Sequence, residues 1–167
     1  MDLEQAKRMR VIFQDIDGPL IPLRMYYAGG RMFDRQHGSF IYDPVAVGMV
    51  NELARKYDAK IVFNSAHCAN GPDAMRHQAQ FNNLTPMHDD CVTKFAKSIE
   101  HRYDAIAEWL GRHPDVTEWI VIDDMAVNTS RQVHVDYNVG MTINNFIEAC
   151  ELFGDKVSPF QFISTVG

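Results

Sequence analysis

Two aspartates one residue apart close an apolar run in VIFQDIDGPLIP, residues 11–22. Asp15 and Asp17 are followed at once by Gly18 and Pro19. Ionised carboxylates so placed repel one another and are costly to desolvate, so something must offset them. Alone, DIDG allows a helix cap, a cation-binding loop or a catalytic pair. An EF-hand loop is ruled out, because the glycine comes too early and Pro19 follows it. Two other apolar runs end in polar groups: KIVFNSAHC (60–68) delivers Asn64, Ser65 and His67, and EWIVIDD (118–124) delivers Asp123 and Asp124. Paired carboxylates from two strands make a site for a hard divalent cation such as Mg²⁺, which prefers oxygen ligands and cancels their repulsion. The seven histidines show no His-x-x-x-His spacing. Cys68, Cys91 and Cys150 form no Cys-x-x-Cys, so neither a zinc site nor a disulfide framework is indicated.

These groups need elements that bring them to one place. Arg10–Ile16, Lys60–Asn64 and Glu118–Asp123 read as short buried strands, with a fourth over Val133–Asp136. Helices are expected over Asp43–Tyr57, with Asp43 as N-cap and Pro44 first inside, and over Asp73–Phe81, Ser98–Arg112 and Thr142–Phe153. Leu20–Phe33 reads as a hairpin turning at Ala28-Gly29-Gly30, and Thr85–Thr93 as a loop with room for a short strand. The alternation predicts an α/β, Rossmann-like three-layer sandwich around a mainly parallel sheet. Ligands of such sheets bind at the carboxyl ends of the strands, where the polar groups fall. On the helix 98–112, Arg102 lies about 40° from Ile106 and Lys97 about 180° from it, so Arg102 is the cation on the inward side. Lys94 and Lys97 take its place if the helix begins later.

In this order, DIDG, Ser65, a helical cation and Asp123-Asp124 resemble the four motifs of the haloacid dehalogenase (HAD) superfamily of phosphohydrolases. More narrowly, RYDAIAEWLGRHPDVTEWIVIDD (102–124) and VHVDYNVGMTINNFIEACELF (133–153) resemble the HAD domains of Swiss Army Knife RNA-repair proteins. The resemblance spans about residues 9–153 and is patchy over 66–97. It implies that Asp15 is the nucleophile, giving an aspartyl-phosphate, and Asp17 the general acid and base. It implies that Ser65 and Arg102 bind the phosphate. It also implies that Asp15, Asp123, the Asp17 carbonyl and an adjacent Asp124 hold Mg²⁺. Two departures stand out: Gln14 puts an amide in the usually apolar strand, and NSAHCAN replaces the subgroup's Ser-Ser-Trp-Arg, with His67 in part of that substrate contact.

The 167 residues, 46% apolar and with net charge −6, suit one domain over 1–167 with a tail at 157–167. The acidic balance disfavours gripping a long duplex and leaves room for a nucleotide or a short single strand. MDLEQAKRMR lacks an apolar signal core, and no apolar run approaches a membrane span, so a cytoplasmic setting is expected. The spacing from Asp17 to Ser65 to Arg102 leaves no room for a large cap, so the site is expected to be open behind a hairpin flap at 20–37. That flap interleaves Arg24, Arg31 and Arg35 with Tyr26, Tyr27 and Phe33, which suits stacking on a base and pairing with phosphates. The expected activity is Mg²⁺-dependent phosphomonoester hydrolysis on a nucleic-acid end or nucleotide. The alternatives are a sugar-phosphate type metabolite, or a catalytically silent domain that binds a phosphorylated ligand or a protein partner.

Overall fold

Apolar runs separated by amphipathic stretches have to bury both faces of a sheet, and the chain does so. The computed structural model describes residues 8–29 and 32–156. Strand β1 (Met9–Gln14) leads through helix α1 (Leu23–Tyr27) and short strands β2 (Phe33–Asp34) and β3 (Ser39–Phe40) to helix α2 (Pro44–Tyr57). Then come strand β4 (Ala59–Phe63), a 3₁₀ helix (Ala66–Asn70), helix α3 (Pro72–Phe81) and strand β5 (Met87–Val92). Helix α4 (Arg102–Arg112), strands β6 (Val116–Asp123) and β7 (Gln132–His134) and helix α5 (Ile143–Leu152) follow. Five strands form one sheet in the order β5-β4-β1-β6-β7, each neighbouring pair parallel. The architecture is α/β and Rossmann-like, with β1 in the middle.

The side chains of β1 alternate between two cores. Val11 and Phe13 join Val62, Val121, Ile106 and Trp109 on the α4 side. Ile12 joins Ile61, Ile120, Leu53 and Phe146 on the other side. Trp109 lies edge-on to Phe13 at 5.3 Å, and its buried indole N–H donates to the Asp90 carbonyl at 3.1 Å. Helices α2 and α5 begin where their side-chain caps place them. Asp43 Oδ1 accepts from the Val45 amide at 3.0 Å ahead of Pro44, and Thr142 forms a capping box with Asn145. Asp58, in the left-handed region at φ 49°, ends α2 and starts β4.

Three expectations are corrected. The flap is not a hairpin turning at Gly29-Gly30: Leu23–Tyr27 is helical, and Gly30 and Arg31 lie outside the described residues. Leu, Arg and Met are good helix formers, and Pro22 precedes them. Carbonyls of Tyr137 and Asn138 accept the Leu23 and Arg24 amides at 3.1 and 3.0 Å. The hairpin is instead β2–β3, turning through Gly38 at φ 61°, with Asp34 Oδ1 accepting from the His37 amide at 2.9 Å. Helix α4 starts at Arg102, not Ser98. Ala96 has φ 61°, and residues 94–99 close on themselves through amides of Ser98 and Ile99 bonding to the Lys94 carbonyl. Residues 87–92 form a six-residue edge strand, longer than the short strand for which the expected loop left room. The tail at 157–167 lies outside the described residues. Among the described residues, no helix is long and apolar enough to cross a membrane.

Candidate active site

The carboxyl ends of β1, β4 and β6 meet at one edge of the sheet, and the polar residues that follow them converge there. The Asp15 amide bonds to the Ile122 carbonyl of β6 at 2.9 Å, and the Asn64 amide bonds to the Gln14 carbonyl at 3.0 Å. β1 is therefore tied on both sides at the point where its carboxylate emerges. The Asp15 side chain is 2% exposed and that of Asp123 fully buried. The chain then turns tightly: the Leu20 and Ile21 amides both bond to the Ile16 carbonyl at 2.9 Å, and the Gly18 amide bonds to Ile21 O at 3.1 Å. Within this turn the Asp17 side chain is 55% exposed. One aspartate is thus sequestered, and its neighbour faces solvent.

Arg102 is the cation that reaches the carboxylates. Its Nη1 lies 2.8 Å from Asp123 Oδ2 and 3.4 Å from both Asp15 Oδ1 and the Asn64 carbonyl. Its guanidinium rests over the Phe95 ring at 4.7 Å. Lys94 pairs instead with Glu108 at 3.0 Å, and Lys97 lines a separate pocket with Lys94, Ser98 and Arg112. The late start of α4 puts Arg102 in its first turn, and Asn64 steadies that turn by donating to the Arg102 carbonyl at 3.4 Å. Thr93 in turn donates to Asn64 Oδ1 at 2.7 Å. Thr93 and Phe95 are supports that the sequence reading missed. They follow β5, whose half-exposed, charged pattern gave only a weak strand signal.

Burial is the main force on the two buried carboxyls. It pushes Asp15 far above the ordinary carboxylate range, the neighbouring Asp123 charge adds to this, and Arg102 opposes both. Asp123 is raised less, since Arg102 and the Met125 amide, 2.8 Å from Asp123 Oδ1, favour its ionised form. Asp15 Oδ2 is buried without a hydrogen-bond donor, so its contact with the Asp124 carboxyl becomes a hydrogen bond only when a proton is shared. Oxygens of Asp15, Asp123 and Asp124 all lie within 4.8 Å of one another. An all-oxygen cluster with an orphaned buried carboxylate fits a hard divalent cation, which would replace that proton.

Ser65 is fully buried beside this cluster. Its Oγ accepts from the His67 amide at 3.4 Å, capping the 3₁₀ helix and leaving its own O–H free to donate. Gln14, also fully buried, donates from Nε2 to the Asp15 carbonyl at 2.8 Å. His67, expected in part of the substrate contact, reaches Asp17 Oδ2 at 3.1 Å. Of the flap cations, Arg24 is used structurally, paired with Asp43 and donating to the Val139 carbonyl at 2.6 Å. Arg35 lines a groove of about 810 Å³ with Phe33 and Ile41, and Tyr26 and Tyr27 are exposed on α1.

Two glycines let the loops close over this edge. Gly18 has φ +95°, and a Cβ there would lie 2.9 Å from Asp124 Cβ and Cγ. Gly140 has φ +80°, and its Cβ would lie 2.8 Å from Pro22 Cγ. Gly18→Ala should cost about 1–3 kcal/mol through backbone strain and displace Asp124. Urea denaturation and Mg²⁺ titration of the variant check this, and unchanged values in both would mean that Asp124 yields freely.

A protein-family model described as the HAD domain in Swiss Army Knife RNA repair proteins matches residues 11–146 of the chain. Searches of curated proteins and of solved structures find no match.

Proposed function

Because the chain belongs to the HAD family of domains found in Swiss Army Knife RNA repair proteins, we propose that it hydrolyses phosphomonoesters through an aspartyl-phosphate on Asp15. The observation that carries this reading is the contrast between two neighbouring carboxylates. Asp15 is buried 3.4 Å from a guanidinium, and Asp17, two residues on, is open to solvent. The guanidinium favours the ionised form of Asp15 that attack requires, and the open position of Asp17 leaves it able to exchange a proton with a leaving group and with water.

In the proposed reaction, an Asp15 oxygen attacks phosphorus as the bond to the leaving oxygen breaks. Asp17 gives its proton to that oxygen, so the leaving group departs as an alcohol. Asp17 then accepts a proton from the water that attacks the aspartyl-phosphate, and phosphate and free Asp15 are restored. The Ser65 hydroxyl donates to a phosphoryl oxygen, and Arg102 balances phosphoryl charge. Mg²⁺, when bound by Asp15, Asp123, Asp124 and the Asp17 carbonyl, supplies further neutralisation of that charge.

The substrate proposed is a nucleotide or nucleic-acid end. Tyr26 and Tyr27, 61% and 79% exposed, and Phe33 at 42% offer faces for base stacking, and Arg35 offers charge in the adjacent groove. A panel of 3′- and 5′-phosphorylated oligonucleotides, mononucleotides and sugar phosphates, with Mg²⁺, tests the assignment. Oligonucleotides or mononucleotides should exceed sugar phosphates in kcat/KM by tenfold or more, about 1.4 kcal/mol. A preference for sugar phosphates would replace the nucleotide reading with the metabolite one. No turnover of any ester, an aryl phosphate included, would leave a silent binding domain.

A further inference from the structure

The 3₁₀ helix after β4 sends one side chain toward the acid–base aspartate. His67 Nε2 lies 3.1 Å from Asp17 Oδ2. The imidazole is 10% exposed, whereas the carboxylate it meets is 55% exposed. Its other nitrogen, Nδ1, is buried without a hydrogen-bond partner. A neutral imidazole carries one N–H, and burying a donor with no acceptor costs more than burying a bare ring nitrogen. The proton therefore sits on Nε2, and His67 donates to Asp17 rather than accepting from it.

The ring is also held from the flap. Phe40 of β3 meets it edge-on, with centroids 4.7 Å apart, and Phe33 of β2 meets Phe40 at 5.1 Å. A line of contacts thus runs from half-exposed Phe33 through Phe40 and His67 to Asp17. Below, the His67 amide donates to Ser65 Oγ, so the phosphate-side serine and the acid–base aspartate are braced by the same residue.

We infer that His67 is a positioning residue for Asp17, set by the β2–β3 hairpin, and that it governs protonation of the leaving group. The inference rests on the phosphohydrolase reading above. With Oδ2 occupied by the imidazole N–H, Oδ1 is the oxygen that carries the proton to the departing alkoxide. His67 keeps its own proton throughout, so the proton count of the reaction is unchanged. Without His67 the exposed carboxyl rotates freely, and the proton is seldom aimed at the ester oxygen.

A structural role and this positioning role differ in how they treat the leaving group. A nitrophenolate departs without a proton, whereas an alkoxide does not. kcat/KM is measured for p-nitrophenyl phosphate and for glycerol 2-phosphate with wild type, His67→Leu, His67→Gln and Phe40→Leu, all with Mg²⁺. His67→Leu should lower turnover of glycerol 2-phosphate about 100-fold and that of p-nitrophenyl phosphate by no more than about threefold. His67→Gln, which keeps an N–H donor, should recover most of the lost activity. Phe40→Leu should give a smaller loss with the same bias toward the alkyl ester. Equal losses on both esters, or no loss on either, would overturn the positioning role; an unbiased Phe40→Leu would overturn the hairpin's part in it.

Long-range ¹H–¹⁵N spectra of the metal-free protein give a readout that needs no turnover. They should show His67 protonated on Nε2 and its signals displaced in Asp17→Ala. A ring protonated on Nδ1 overturns the inference while leaving the phosphohydrolase reading intact. If wild type hydrolyses neither these two esters nor any member of the nucleotide and sugar-phosphate panel above, that reading fails and the positioning role with it, whereas the spectra still decide the contact.

Discussion

Asp15→Asn should abolish turnover, by at least about 10⁴-fold, and at the same time make the metal-free protein more stable at pH 8. The loss follows from removing the proposed nucleophile. The gain follows from burial. The Asp15 carboxyl is raised because its charged form is desolvated and then repelled by Asp123, with Arg102 only partly opposing. A raised carboxyl binds its proton more tightly in the folded state than in the unfolded one. Its contribution to stability is therefore complete below the unfolded value of about 3.9 and is lost progressively as pH rises toward the folded value. Asparagine is neutral at every pH and keeps one acceptor for Arg102. In EDTA, wild type should lose melting temperature between pH 5.5 and pH 8 and the variant should lose less. At pH 8 the variant should lead by about 1 kcal/mol. Parallel melting curves would sink the buried-proton account, and unchanged hydrolysis would sink Asp15 as nucleophile.

Arg102→Met should be harmful on both counts. It removes the one cation, among the described residues, that touches Asp15, Asp123 and the Asn64 carbonyl together. At pH 8 the buried Asp123 carboxylate is then left without its countercharge, an effect of about 3 kcal/mol for a broken buried pair. Loss of charge stabilisation on the phosphoryl group should lower kcat by about 10² to 10³. The two effects separate in a denaturation series with and without Mg²⁺. Mg²⁺ should stabilise the variant more than wild type, because it supplies the missing positive charge, but kcat should stay low. Arg102→Lys should fall between, since an ammonium keeps the charge but loses the planar fork. A variant whose midpoint matches wild type without Mg²⁺ would show that solvent already screens the pair.

Much of this arrangement was legible in the residues. VIF, KIVF and EWIVI are continuous apolar runs, as strands buried on both faces must be, and parallel strands deliver their ends to one edge. Asp15, Asp17, Ser65 and Asp123 therefore converge without further assumption. Arg102 was found by helical phase. The helix begins later than the expected Ser98, but Ile106 lies within it and kept the phase right. The flap was misread because Tyr26 and Tyr27 favour strands, and what makes that segment a helix includes carbonyls of Tyr137 and Asn138 far along the chain. β5 was left as no more than a short strand within a loop because MHDDCV carries charge on a half-exposed edge. His67 gave no local signal of its partner, since Asp17 is fifty residues away in sequence and adjacent only in the fold.

The central position of β1 has a consequence for timing. Its amides are bonded into the sheet between β4 and β6, so they exchange with solvent only when the whole domain opens. The β2–β3 hairpin has two residue pairs and exchanges through local opening. The carboxylate proposed as nucleophile and the hairpin whose Phe40 packs on His67 should therefore run on separate clocks. The hairpin can loosen and re-form many times while Asp15 keeps its place.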